Sequence, residues 1–212
     1  GKEEPHSKFL VWLMKEGESH GLGNIFLEKF LAAVAKKYRE KEGFSPKEVD
    51  IIPEASGEHG VPDIKIRGKD FLCVVENKIR SMEGKDQTKR YEDDAMKEAK
   101  TMGISQERLF LIFLTPTGRS PLDKRFITMS YDEVIDLLRD ILQCSQGMSD
   151  PVRFLIEQFI FNLQVEILHV FDLEKRAATC LSEYLRYGDR YLWEKQEEIS
   201  NVYDELMKRE GS

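Results

Sequence analysis

Residues 60–78, GVPDIKIRGKDFLCVVENK, constrain the fold more than any other stretch of the chain. Two runs rich in β-branched and apolar residues flank Gly68-Lys69, and a two-residue link with glycine first is the signature of a type II′ hairpin. That turn predicts Arg67 opposite Asp70, and the register that follows sets Ile66 opposite Phe71, Ile64 opposite Cys73 and Pro62 opposite Val75, the last three pairs making an apolar face that packs on a core. Asp63 is then opposite Val74, and Val61 opposite Glu76. Side chains two apart share a face, so Glu76 and Lys78 join Asp63, with the two carboxylates diagonal neighbours roughly 7 Å apart at the backbone. Two carboxylates and an ammonium therefore gather at the end of the hairpin remote from its turn. Such a pair can share a hard divalent cation, which takes carboxylate oxygen. The lysine can stabilise charge developing on phosphorus or orient an attacking water.

The rest of the chain supplies a frame for this hairpin. Residues 5–16 and 22–42 read as helices separated by Ser19-His20-Gly21, and VDIIPE (49–54) reads as a strand before the hairpin. A helix over 86–101 follows, then the apolar run RLFLIFLT (108–115), of the kind found in a buried strand. FITM (126–129) adds a further strand, and Ser130 caps a helix at 131–143. After Asp150-Pro151 the pattern is helical throughout, over 151–169, 173–187 and 189–209. This order predicts an α/β sheet with a helical C-terminal third. The expected division is a core over 1–145 and a helical extension over 146–212.

Pro62-Asp63, twelve intervening residues, then Glu76-Asn77-Lys78 resembles the PD-(D/E)XK signature of a nuclease superfamily that includes many restriction enzymes and recombination nucleases. The superfamily's αβββαβ core is similar to the order read over about 20–115, so the resemblance implies a restriction-endonuclease-like core with a mixed central sheet. Gln87-Thr88-Lys89-Arg90-Tyr91 resembles the Gln-x-x-x-Tyr motif of the RecB-like branch, and residues at i and i+4 share a helical face. The segment GESHGLGNIFLEKFL also resembles the N-terminal portion of one bacterial group of these proteins, where Ser-His-Gly precedes the first core helix.

The resemblance implies Mg²⁺- or Mn²⁺-dependent hydrolysis of phosphodiester bonds, with DNA the expected substrate and RNA left open. It assigns the metal to Asp63 and Glu76, together with the backbone carbonyl after Glu76, assistance of the water to Lys78, and orientation of the site to Gln87 and Tyr91. A further ligand stays open among three candidates: Glu28, where many members carry a first-helix glutamate, His20, since related nucleases use an upstream histidine, and Glu54, at the end of the first strand. The alternative is a nucleic-acid-binding or protein-interaction module that keeps the fold without cleaving.

Charge and cysteine usage set the remaining expectations. The net charge of −7 excludes coating of nucleic acid by bulk positive charge. Locally the sign reverses: residues 60–91 carry eight basic side chains (Lys65, Arg67, Lys69, Lys78, Arg80, Lys85, Lys89, Arg90) against five acidic ones, as a phosphate backbone would favour. Three dispersed cysteines, Cys73, Cys144 and Cys180, cannot ligate the four-cysteine iron–sulfur cluster that some RecB-like nucleases carry. They fit a reducing compartment. With no apolar run long enough to span a membrane and no secretory stretch in GKEEPHSK, the expected location is the cytoplasm, away from membranes. Gly21-Leu-Gly23 lacks the third glycine and preceding strand of a dinucleotide loop. Tyr184, Tyr187, Tyr191 and Trp193 read as packing or partner-contact residues, and a homodimer would form through these C-terminal helices.

Overall fold

A computed structural model of the chain describes residues 4–38, 48–54, 60–79, 83–84, 86–145 and 147–167. The helices expected over 173–187 and 189–209, their aromatic residues and the dimer surface assigned to them, Cys180, His59, His169, Arg80 and Lys85 lie outside the described residues. The chain divides into two units, Gly1–Ile160 and Phe161–Ser212.

Five strands, β1 (Asp50–Pro53), β2 (Ile64–Arg67), β3 (Leu72–Asn77), β4 (Leu109–Thr115) and β5 (Ile127–Ser130), form one sheet in sequence order. The first three are an antiparallel meander, and β3, β4 and β5 run parallel. The mixed sheet expected from the sequence is present. Its helices are α1 (Glu4–Met14) and α2 (Ile25–Lys37) before the sheet, α3 (Gln87–Thr101) between β3 and β4, then α4 (Tyr131–Cys144) and α5 (Asp150–Asn162). All seven residues of β4 and all six of β3 are buried, as befits central strands covered on both faces.

One face packs on α3, where Tyr91, Ala95 and Ala99 meet Leu72, Val74, Leu109, Leu111 and Phe113. Their spacing along α3 makes one apolar stripe. On the opposite side Phe26, Leu27, Phe30, Leu31 and Val34 recur along the buried side of α2, which packs on α4. Tyr38, just past α2, lays its ring edge-on against Phe110. Its hydroxyl donates to the Leu111 carbonyl at 2.9 Å and accepts from the Leu111 N–H at 2.8 Å, satisfying a strand backbone one residue before β5 begins to pair. Ser130 caps α4 as read from the sequence, in a reciprocal capping box with Glu133.

The hairpin register differs from the sequence expectation. Ile64 lies opposite Val75, Lys65 opposite Val74, Ile66 opposite Cys73 and Arg67 opposite Leu72, so each pairing has moved by two residues. The cause is Phe71. A two-residue turn would leave Phe71 paired in the ladder; instead residues 68–71 form the loop, closed by the Gly68 N–H donating to the Phe71 carbonyl at 3.0 Å. The Phe71 ring, fully buried, folds over Gly68 so closely that a Cβ there would sit 2.2 Å from it. Gly68 is thus required for the ring's approach. A shift of two preserves which face each side chain occupies, whereas a shift of one would have reversed them all.

Candidate active site

The shifted register brings Asp63 level with Glu76, both flanking the Ile64–Val75 pair, where the sequence reading had Asp63 across from Val74. Asp63 Oδ2 accepts the Asn77 N–H at 2.7 Å, a charge-assisted bond that fixes the carboxylate against the end of β3. Glu76 is only 2 % exposed. Its Oε1 accepts from Lys78 Nζ at 2.9 Å and from Gln87 Nε2 at 2.8 Å. Its Oε2 is buried and has no hydrogen-bond partner among the described residues. Burial, and next the charge of Asp63, push the Glu76 carboxyl from its ordinary 4.5 up to about 8.

Lys78 is drawn in tightly: its side chain is 14 % exposed, so it faces less of a wet cleft than the hairpin's open end suggests. Burial alone would lower its pKa, but the Glu76 carboxylate overrides this and raises it. The ammonium is therefore charged at neutral pH. Gln87 and Tyr91 both point to this cluster from the first turns of α3. Gln87 Oε1 accepts the Gly84 N–H at 3.1 Å, while Nε2 also donates to the Tyr91 hydroxyl at 3.0 Å. That hydroxyl donates to the Val61 carbonyl at 3.2 Å. Gly60, at φ +150°, lets the chain pass so near that a Cβ would meet the Tyr91 ring at 2.5 Å. The segment leading to Asp63 is thereby clamped to the helix carrying Gln87.

The model of the PD-(D/E)XK nuclease superfamily matches residues 1–186. The chain belongs to that superfamily. Neither a curated protein nor a solved structure matches it. As a PD-(D/E)XK protein it is assigned to a group of nucleases, whose substrate is nucleic acid and which typically use divalent metals.

Several residues singled out from sequence fall elsewhere in this PD-(D/E)XK chain. His20 is 3 % exposed. Its Nδ1 accepts the Leu22 N–H at 2.9 Å, and Nε2 lies 2.9 Å from the Lys15 carbonyl, to which it donates in the tautomer this pairing requires. Trp12 meets its ring edge-on. Both nitrogens are engaged by the backbone of the α1–α2 connection. Glu28 lies on the exposed side of α2, in its first turn. Glu54 does approach the site: its N–H donates to the Asp63 carbonyl at 3.0 Å, and it adopts a left-handed φ of +46° just past β1.

Among the described residues no group of three or more His, Cys, Asp or Glu side chains is arranged to hold a metal. The donor chemistry still suits a hard cation. Asp63 and Glu76 are adjacent carboxylates, one with a buried oxygen lacking a partner, and Mg²⁺ is commonly held by one or two carboxylates plus water. Cys73 is buried in the sheet, where desolvation raises its thiol. Among the described residues no helix is long and apolar enough to cross a membrane.

Two features escaped the sequence reading. Asn77, the middle residue of Glu-x-Lys, is 1 % exposed; its side chain donates to Ser7 Oγ and accepts from the Tyr131 hydroxyl, both at 3.0 Å. A motif spacer gives no hint of this. Glu83 accepts the Thr88 N–H at 3.2 Å and the Thr88 hydroxyl, and its other oxygen accepts the Leu122 N–H at 2.8 Å. It performs the capping that Asp86, left-handed at φ +52°, does not. A capping acid five residues upstream could be suspected from sequence, but not its bond to Leu122.

Proposed function

We propose that the protein is a divalent-metal-dependent nuclease that hydrolyses DNA phosphodiester bonds and is of the RecB-like kind. The supporting observation is the state of Glu76: one carboxylate oxygen is held by Lys78 and Gln87, and the other is buried, without a partner among the described residues, beside Asp63. Leaving a buried carboxylate oxygen unpaired costs about 1–3 kcal/mol or more, an outlay a metal-binding role explains.

Asp63 and Glu76 would hold the cation, and Glu54, whose N–H bonds the Asp63 carbonyl across β1 and β2, is the one of the three further candidate ligands whose backbone lies beside them. When bound, the cation supplies Lewis-acid polarisation of a phosphate oxygen and lowers the pKa of water. The chain's own groups do the remainder. Lys78, held charged by Glu76, acts as a hydrogen-bond donor, orienting the water or meeting negative charge that grows on the phosphate. A cation with a raised pKa is a poor base, so its role is stabilising. Gln87 fixes the rotamer of Glu76. Tyr91 joins that amide to the Val61 carbonyl and so sets the spacing of the two carboxylate-bearing strands.

The test is a cleavage assay on linear, circular and single-stranded DNA and on RNA, with Mg²⁺, Mn²⁺ or EDTA. Calorimetric Mn²⁺ binding should depend on both Asp63 and Glu76. Binding untouched by Asp63→Asn, with no cleavage of any substrate, would leave the non-cleaving binding module as the better reading.

A further inference from the structure

Leu122 is 71 % exposed, the most exposed large hydrophobic side chain among the described residues. A lone exposed leucine is ordinary. Its setting is not. It lies in the β4–β5 loop, whose backbone is latched along its length. The Arg119 N–H donates to Thr115 Oγ1 at 2.9 Å, the Leu122 N–H to Glu83 at 2.8 Å, and the Asp123 N–H to Thr88 Oγ1 at 3.2 Å. Phe126 then enters the core. These bonds fix the path of the backbone on both sides of the leucine.

The latch also fixes where the leucine is. β3 and β4 are parallel, so their C-terminal ends share one edge of the sheet, and the Lys78 N–H donates to the Leu114 carbonyl there at 2.8 Å. Thr88 follows Gln87, whose amide touches Glu76. Glu83 bonds both Thr88 and Leu122, and so ties the loop to the helix turn that carries Gln87. The loop's charges favour a polyanion. Arg119 and Lys124 are exposed on either side of Leu122, while Asp123 turns its carboxylate back to the Arg125 N–H at 2.8 Å.

We propose that this loop is a substrate-reading element in which Leu122 is an apolar wedge that unstacks a base step beside the scissile phosphate, with Arg119 and Lys124 contacting the flanking phosphates. Apolar side chains inserted between bases trade stacking for contact and a distorted backbone, and lysine or arginine contacts to phosphate add affinity without sequence preference. The inference rests on the nuclease reading. It adds that a duplex, whose bases are stacked, needs the wedge more than a single strand does.

The experiment uses the full chain carrying Asp63→Asn, to prevent cleavage, and a set of DNA duplexes with 2-aminopurine at successive positions. Binding is followed by anisotropy and unstacking by 2-aminopurine fluorescence. The expected result is a fluorescence rise on binding that the added Leu122→Ala change abolishes. Arg119→Ala and Lys124→Ala should each weaken binding and reduce the salt dependence by about one released counterion. In the cleaving protein, Leu122→Ala should lower kcat/KM about tenfold on duplex and less than about threefold on single strands, with Leu122→Phe restoring the duplex rate. Duplex cleavage by the wild type with no fluorescence rise in the Asp63→Asn protein, or a rise unchanged by Leu122→Ala, overturns the wedge alone. Failure of the wild type to bind or cut any nucleic acid overturns the nuclease reading and the wedge together.

Discussion

Replacing Glu76 by glutamine should stabilise the metal-free protein, by an amount that grows with pH. The substitution keeps the side chain's volume and removes a charge that the fold disfavours. Because the folded pKa is raised, from 4.5 to about 8, the native state keeps a proton that the unfolded chain releases. Wild-type stability is therefore full below about pH 4.5 and declines as pH rises towards about 8. At about 1.4 kcal/mol per tenfold, the full displacement corresponds to about 5 kcal/mol, of which about 3 is expressed at pH 7. Glutamine keeps a carbonyl oxygen that can accept from Lys78, which lies 2.9 Å from Glu76 Oε1, and the attraction between carboxylate and ammonium is already contained in the raised pKa. Urea denaturation in EDTA should show Glu76→Gln gaining about 2–3 kcal/mol on the wild type between pH 6 and 8.5, with the difference levelling off above that. A difference constant over this range, or a variant less stable than wild type at pH 8.5, would refute the claim that Glu76 is a strained buried carboxyl.

Lys78→Ala should fold and retain Mn²⁺ binding but lose cleavage by two or more orders of magnitude, about 2.7–4 kcal/mol of transition-state stabilisation; Asp63→Asn should lose calorimetric Mn²⁺ binding and cleavage together. A wild-type rate for Lys78→Ala would remove that residue from the chemistry. His20→Ala should destabilise the protein by about 1–3 kcal/mol, because two backbone groups lose their partner, while leaving Mn²⁺ affinity intact in a calorimetric titration. A tenfold fall in that affinity at unchanged stability would make His20 a ligand after all. Gly60→Ala should cost about 1–3 kcal/mol in urea denaturation, through a disallowed φ and the collision with Tyr91, and should lower activity in parallel; no loss of stability would show that the close approach is dispensable.

The order of elements in the described core was legible because the strands are short apolar runs bounded by glycine and proline, and because α2 and α3 carry clear helical stripes. The faces of the hairpin survived an incorrect turn only because the displacement was two residues. What selected the four-residue loop was the burial of Phe71 under the tip, a tertiary demand that turn statistics do not contain. His20 looked like a candidate ligand beside Gly21, yet its ring serves the backbone around it. Glu83 and Leu122 are 39 positions apart in the chain, beyond any periodicity. Glu54 was legible as a strand-end acid, and the β1–β2 register supplies the reason it reaches Asp63.

Asn77 spans two layers of the molecule at once. Its amide proton is held by Asp63 on the side of the chemistry, while its carboxamide is held by Ser7 and Tyr131 among the helices behind the sheet. That single proton can therefore serve as a reporter in solution. A short bond to a carboxylate should move its NMR resonance downfield, and its exchange with deuterium should proceed only when the end of β3 parts from Asp63. Loosening of α1 or α4 would then register as faster exchange at an atom in direct contact with the carboxylate pair. The packing behind the sheet and the readiness of the site for its cation become a single observable.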